Sequence, residues 1–201
     1  MLPRQPSRSC ALLAVPGSLR KHSYNRLLLQ AAAELGSEDV SIVGYDELGS
    51  LPLFDEDLEK ATGGGPEPVR RLRDQVASAD GVLFATPEYN HSIPGVLKNA
   101  IDWLSRPAPQ EVLVGKPVAV IGASAGSFGT RLAQSALRQV LYATESLVLP
   151  GPALYARDAA RLFDPAGRLV DGPTRDRLAA ILSALVAWID RFRAAGERGS
   201  P

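Results

Sequence analysis

The chain has 201 residues, a length that suits one domain with a sizeable core and leaves little room for two. Hydrophobic residues make up 45% and charged residues 22%, both near the average for a globular protein in water. Lys+Arg 22 against Asp+Glu 22 leaves a formal net charge of +0, without the basic surplus that binding to nucleic acid or an anionic membrane would call for.

Residues 1–8 carry two prolines and no apolar periodicity and read as a flexible tail. Arg4 and Arg8 precede the apolar run Cys10–Val15, but that run is too short for a signal peptide and stops at Pro16-Gly17. Ser9–Val15 is therefore expected as a first strand. Ser23–Leu35 places Leu27, Leu28, Ala31, Ala32 and Leu35 on one helical face, and Val40–Tyr45 alternates like a strand. A long connection follows, with Leu51-Pro52-Leu53-Phe54, acidic residues from Asp55 to Glu59, and Gly63-Gly64-Gly65; its length points to a functional or interface segment. Helical spacing returns over Pro68–Ala79. A short apolar strand is expected over Gly81–Thr86, and a helix over Pro94–Ser105 with Pro94 in its first turn. Pro117–Ala123 reads as a buried strand, Thr130–Tyr142 as a helix and Ser146–Leu149 as a last strand. Thr174–Phe192 is the clearest amphipathic helix, and residues 194–201 are expected as a second flexible tail.

Strands alternating with helices give one α/β domain over residues 9–193, with a parallel sheet covered on both faces. No apolar stretch reaches the roughly 20 residues of a membrane span. Cys 1 allows no intrachain disulfide, which fits a reducing cytoplasm. In such sheets ligands sit outside the carboxyl ends of the strands, where the strand order reverses. Three turns follow strand ends and are the candidates.

The first turn runs from Gly17 to Asn25 and brings hydroxyls, amides and cations to the start of a helix. A phosphate needs convergent donors, compensating charge and the positive end of a helix dipole. Ser18, Ser23 and Asn25 can donate hydrogen bonds and Arg20 offers a fork of N–H groups. Equally, Ser23 is a good N-cap and Arg20 a solvated charge. The second turn, Thr86 to Gly95, holds two prolines and Tyr89, a rigid backbone beside an aromatic surface that suits a flat heteroaromatic ligand. It reads also as an ordinary strand-to-helix loop. The third, Gly122 to Thr130, lets backbone approach a ligand closely. Ser124 stands where the dinucleotide fingerprint would have its first glycine, and no Lys-Ser/Thr completes a P-loop. With His 2 and Cys 1, and no H-E-x-x-H, C-x-x-C or G-x-S-x-G spacing, neither a metal centre nor a hydrolase elbow is expected.

Together these stretches resemble the NADPH-dependent FMN reductase family, which includes bacterial chromate/quinone reductases and related azoreductases. The resemblance rests on Gly17-Ser18-Leu19-Arg20 with Ser23 and Asn25, Pro87-Glu88-Tyr89-Asn90, and Leu97-Lys98-Asn99-Ala100-Ile101-Asp102-Trp103. It continues through Gly115-Lys116-Pro117, the Ser124–Gly129 turn and Leu137-Arg138-Gln139-Val140-Leu141, in register from Ser9 to Phe192. It implies a flavodoxin-like three-layer sandwich with a central five-stranded parallel sheet in the order 2-1-3-4-5. It implies FMN as cofactor, with its phosphate on Ser18, Arg20, Ser23 and Asn25 and with Tyr24 as a further cofactor-binding residue. The isoalloxazine would lie along Pro87, Glu88, Tyr89 and Asn90, with Ser124 and Gly126 closing the other side. NADPH or NADH would give hydride to FMN, which would pass electrons to quinones, azo compounds, free flavin or chromate, so that no catalytic side chain is implied. The family further implies a homodimer or homotetramer, with the Leu51–Gly65 connection and Ser105-Arg106 as candidate contacts. The other reading of the same fold is a flavodoxin-type FMN electron carrier without nicotinamide turnover. Such carriers are strongly acidic with a Thr-rich phosphate loop, whereas this chain is neutral.

Overall fold

The fold was obtained as a computed structural model that describes residues 9–107 and 110–198. Its elements run β1 (Cys10–Pro16), α1 (Tyr24–Glu34), β2 (Val40–Gly44), α2 (Glu56–Ala61), α3 (Glu67–Ser78) and β3 (Gly81–Ala85). They continue with α4 (Gly95–Leu104), β4 (Pro117–Ala123), α5 (Arg131–Ala143), β5 (Leu147–Val148), β6 (Tyr155–Ala156) and α6 (Gly172–Arg198). All pairings in the sheet are parallel, in the order β2-β1-β3-β4-β5, with β6 also pairing β4.

Period-two alternation along the strands divides the core into two layers. Leu12, Ala14, Leu83, Ala85, Ala119 and Ile121 face one way, onto Leu28 of α1 and Leu178, Ile181, Leu185 and Ile189 of α6. Leu13, Val15, Val82, Phe84, Val118 and Val120 face the other, onto Val69, Leu72 and Val76 of α3, Leu97 and Ile101 of α4, and Leu137 and Leu141 of α5. β3 and β4 are buried along their whole length, which is why both read as unbroken apolar runs. The result is the three-layer, flavodoxin-like sandwich implied above. Its strand order reverses between β1 and β3, where Pro16 lies opposite Ala85.

The fifth strand position differs from the expectation of one strand over Ser146–Leu149. β5 is only Leu147–Val148, paired with the start of β4, and β6 takes up the same edge at the end of β4 through Gly122–Tyr155 and Ala123–Ala156. Pro150 and Pro152 lie between them. Proline has no N–H for the ladder, so a continuous strand is not available to this sequence. Smaller shifts have equally local causes. Pro94 is the N-cap of α4 rather than a residue of its first turn. The last helix begins at Gly172 and continues to Arg198, into the stretch expected as a tail. The expected tail over 1–8 and residues 199–201 lie outside the described residues.

The long connection after β2 is structured and bound to α4. It holds a short 3-10 turn at Leu48–Ser50 and then α2. The Pro52 carbonyl accepts hydrogen bonds from Asn99 Nδ2 (2.9 Å) and Trp103 Nε1 (2.8 Å), and Phe54 N–H donates to Asn99 Oδ1 (2.7 Å). Phe54 meets the Trp103 ring edge-on at 5.0 Å. Further on, Arg106 pairs with the nearly buried Glu59 at 3.1 Å. This packing within one chain accounts for the length of the segment.

Candidate active site

The site forms where β1, β3 and β4 end. Gly17 donates its N–H to the Ala85 carbonyl (2.8 Å), so the first turn leaves β1 pressed against the second. A Cβ on Gly17 would lie 3.0 Å from Leu97 Cδ2 and 3.2 Å from Pro87 Cδ; only glycine fits without displacing them. Gly122 is more constrained still, since its Cβ would fall 2.0 Å from Thr130 Oγ1 and 2.5 Å from the Thr86 carbonyl. The three turns are thus drawn together by backbone contacts.

They enclose a cavity of about 180 Å³, lined by Ser18, Arg20, Ser23, Tyr24 and Asn25 from the first turn. Pro87, Glu88 and Tyr89 line it from the second, and Ala123, Ser124 and Ala125 from the third. Of the residues expected from the sequence, Asn90 and Gly126 are not part of this lining, while Ala123 and Ala125 are additions. Asn90 instead occupies the tip of a tight reversal. Tyr89 and Ser92 exchange two backbone hydrogen bonds of 3.0 Å, and Asn90 and His91 between them have φ values of 50° and 64°. That pair of positive φ angles is the two-residue hairpin geometry that asparagine tolerates well.

Within the first turn each side chain has a definite task. Ser23 is the N-cap of α1, its Oγ accepting from Asn25 N–H at 3.2 Å. Ser18 Oγ accepts from Arg20 N–H at 3.2 Å. Both serines are almost fully buried, and a hydroxyl that accepts from backbone still has its own proton to donate into the cavity. Asn25 does something the sequence did not suggest. Its Nδ2 donates to the Ala123 carbonyl (3.0 Å) and its Oδ1 accepts from Ala123 N–H (2.9 Å), so the side-chain amide latches α1 to the end of β4. One N–H of that amide remains. Arg20 is exposed and, among the described residues, makes no ion pair. Tyr24 stacks on Phe163 with ring centroids 6.1 Å apart, which holds it at the wall.

Glu88 likewise acts through its carboxylate. Oε2 accepts from the N–H groups of Leu132 (2.9 Å) and Ala133 (3.0 Å) in the first turn of α5. This satisfies helix N–H groups that the N-cap Thr130 leaves without a side-chain bond, and places negative charge at the positive end of the dipole. Oε1 lies 3.7 Å from His91 Nδ1. The one carboxylate at the cavity is therefore held against α5, and the end lined by Ser18, Arg20 and Ser23 carries no acid. Neutral donors, an uncompensated guanidinium and a helix start fit a phosphate ester there, and Pro87 and Tyr89 offer flat apolar surface beside it. Among the described residues, no group of three or more His, Cys, Asp or Glu side chains is placed to hold a metal ion.

Comparison with known proteins decides the lineage of this arrangement. Residues 11–161 match the family NADPH-dependent FMN reductase, three quarters of the chain. An NAD(P)H-dependent FMN reductase of Pseudomonas aeruginosa is 46% identical over 182 residues, covering 90% of this chain and 96% of the relative. The chain belongs to the NADPH-dependent FMN reductase family. A 2-hydroxy-1,4-benzoquinone reductase of a Burkholderia species is 41% identical, with 89% of this chain and 95% of the relative covered. Among solved structures, the flavoenzyme NAD(P)H:(acceptor) oxidoreductase of Paracoccus denitrificans superposes with a TM-score of 0.82 at 36% identity, over 90% of this chain and 98% of that one. As an FMN reductase family member, this chain is an NAD(P)H- and FMN-dependent oxidoreductase.

Proposed function

We propose that this FMN reductase family member seats the FMN phosphate against Ser18, Arg20 and Ser23 and reduces quinones as its main acceptors. The observation that carries this reading is the convergence of three turns, far apart in sequence, on one cavity with donors at one end and flat surface at the other. The chemistry supplied by FMN in such a site is hydride uptake from a nicotinamide and delivery of electrons to an acceptor. The protein's part is to bind and orient. Ser18 and Ser23 offer hydroxyl protons, Arg20 offers a charge-assisted fork, and the start of α1 offers its dipole. Asn25 and Glu88 are positioning residues: the first ties the phosphate end to β4, the second ties the ring end to α5. The ring end of the cavity is open, with Tyr89 48% exposed. An open face lets donor and acceptor use the same position in turn.

Quinones are favoured because relatives at 41% and 42% identity are quinone reductases. Azo compounds, free flavin and chromate are further acceptors that an open face admits. No described helix is long and apolar enough to cross a membrane, and we place the protein in the cytoplasm, with its single Cys10 buried and unpaired. A homodimer or homotetramer is the expected assembly, for which exposed Leu53 and Tyr142 provide apolar surface. Steady-state kinetics with NADPH and a benzoquinone test the reading. Parallel double-reciprocal lines, the mark of a shared site used alternately, are expected. Intersecting lines, or no turnover by flavin-loaded protein, would overturn it.

A further inference from the structure

A second and larger cavity, of about 760 Å³, opens on the other side of the turn after β4. Ser127 and Phe128 line it from that turn, Arg131 from α5, Tyr155 and Arg157 from β6 and its exit, and Arg177 from α6. Its size lies within the range of small-molecule sites. It is cationic without being compensated. Among the described residues no carboxylate lines it and none of the three arginines makes an ion pair. Asp171, nearby in the chain, is engaged as an acceptor for Thr174 N–H at 2.9 Å.

The cations sit on a firm base. Arg131 lies over the Tyr155 ring at 4.7 Å, and Arg177 Nε donates to the Ala153 carbonyl at 2.9 Å, which leaves its two terminal NH₂ groups free. Tyr155 itself is paired in the sheet opposite Gly122, and Gly129, at φ 67°, lies so close that a Cβ there would fall 3.0 Å from the Tyr155 carbonyl. Phe128, 83% exposed, presents an uncovered ring at the rim. The two cavities are neighbours, because Ala125 lines the first and Ser127 the second. Two residues span at most about 7 Å, much less than an extended dinucleotide.

We propose that this cavity receives the adenosine end of NADPH, with Arg131, Arg157 and Arg177 around its 2′-phosphate and Phe128 against the adenine. The assignment rests on the function proposed above, since it supplies the outer half of the dinucleotide whose nicotinamide reaches the flavin cavity. A phosphate monoester carries close to two charges at neutral pH and three strong acceptors, which matches several guanidinium forks better than one. NADH lacks that group, so the cavity makes NADPH the preferred donor.

Adenosine 2′,5′-bisphosphate, which has no nicotinamide and cannot react, is the probe. Titrated calorimetrically into flavin-loaded protein, it should bind more tightly than adenosine 5′-monophosphate. Arg157→Gln and Arg177→Gln should each weaken it by about tenfold or more, the loss of a charge-assisted hydrogen bond. In turnover the same variants should raise KM for NADPH by a similar factor and KM for NADH by at most about threefold, with the FMN dissociation constant as the control for folding. A bisphosphate that binds no better than the monophosphate, or variants with an unaltered NADPH-to-NADH ratio, would overturn the proposal. So would variants that change only the mass in light scattering, which would assign the arginines to a contact between copies. Should the protein hold no flavin, the function above fails, and the bisphosphate titration still judges this cavity by itself.

Discussion

Arg20 and Asn25 share one turn but do different work, and substitution separates them. Among the described residues the Arg20 guanidinium makes no ion pair, so Arg20→Ala removes a group from the ligand and little from the fold. Losing one charge-assisted hydrogen bond, about 1.5–3 kcal/mol, should weaken FMN by about 10- to 150-fold with thermal stability nearly unchanged. Flavin fluorescence titration measures this directly, and an unchanged affinity would remove Arg20 from the phosphate site. Asn25→Ala should instead show in stability. It leaves the buried N–H and carbonyl of Ala123 without partners, at about 1–3 kcal/mol for each unsatisfied group. Urea denaturation of the flavin-free protein is the measurement, and a midpoint equal to wild type would refute the latch. The sequence put both residues in the right place, because a strand end followed by hydroxyls and a helix start has a local signature. It could not reveal the latch, since Asn25 and Ala123 are 98 residues apart. For the same reason the bonds from Glu88 to α5, 44 and 45 residues on, have no signature in the sequence, where Glu88 reads only as part of the wall along the ring.

At the level of elements, periodicity located the four long strands and the helices on the sheet to within a few residues, apart from the last helix, which runs on past Phe192 to Arg198. It failed where an element draws its form from a distant partner. β6 has two residues, too few for any alternation to register, and exists because it meets the end of β4. The connection after β2 reads from its length as a functional or interface segment, and the sequence does not show that α4 holds it through Asn99 and Trp103, 45 to 51 residues further on. Asn99 is the central clamp, with one bond to each side of Leu53. Asn99→Ala should therefore release residues 51–55 selectively. Amide hydrogen exchange should rise at Phe54, whose N–H loses its acceptor, while β1, β3 and β4 stay protected. Uniform loss of protection over the sheet would mean that the clamp is part of the global core instead. Pro152 and Pro150 leave the fifth strand position broken, and that break is what opens the edge of β4 to Tyr155 and hence shapes the larger cavity.

For the molecule as a whole, the sheet is tied at the end opposite the site by Asp80. Its Oδ2 accepts from Ala11 N–H at 2.7 Å in β1, and Oδ1 pairs with Arg193 of α6. Burial pushes the Asp80 carboxyl up, but the hydrogen bonds from Arg193 and Ala11 and the charges of Arg193 and Lys116 outweigh it and hold the group below the ordinary carboxylate value. A folded-state pKa below the unfolded one gives stability that is complete above roughly pH 4 and is lost as pH falls through the folded value. Asp80→Asn should cost about 1 kcal/mol at neutral pH, a modest figure because the pair is partly exposed and screened by solvent. The difference from wild type should shrink to nothing in strong acid, which denaturation curves across that range will show. At the same end of the molecule Cys10 is inert in the folded state, its thiol pushed up to about 11 chiefly by burial, with the neighbouring Asp80 adding to it.

The central claim is that the turns after β1, β3 and β4 together hold one flavin mononucleotide. Purified protein, denatured to release its chromophore and examined by chromatography against flavin standards, tests it most directly. FMN at about one molecule per chain is the predicted result, with Arg20→Ala carrying much less. FAD, or no flavin retained after incubation with excess FMN, would contradict it.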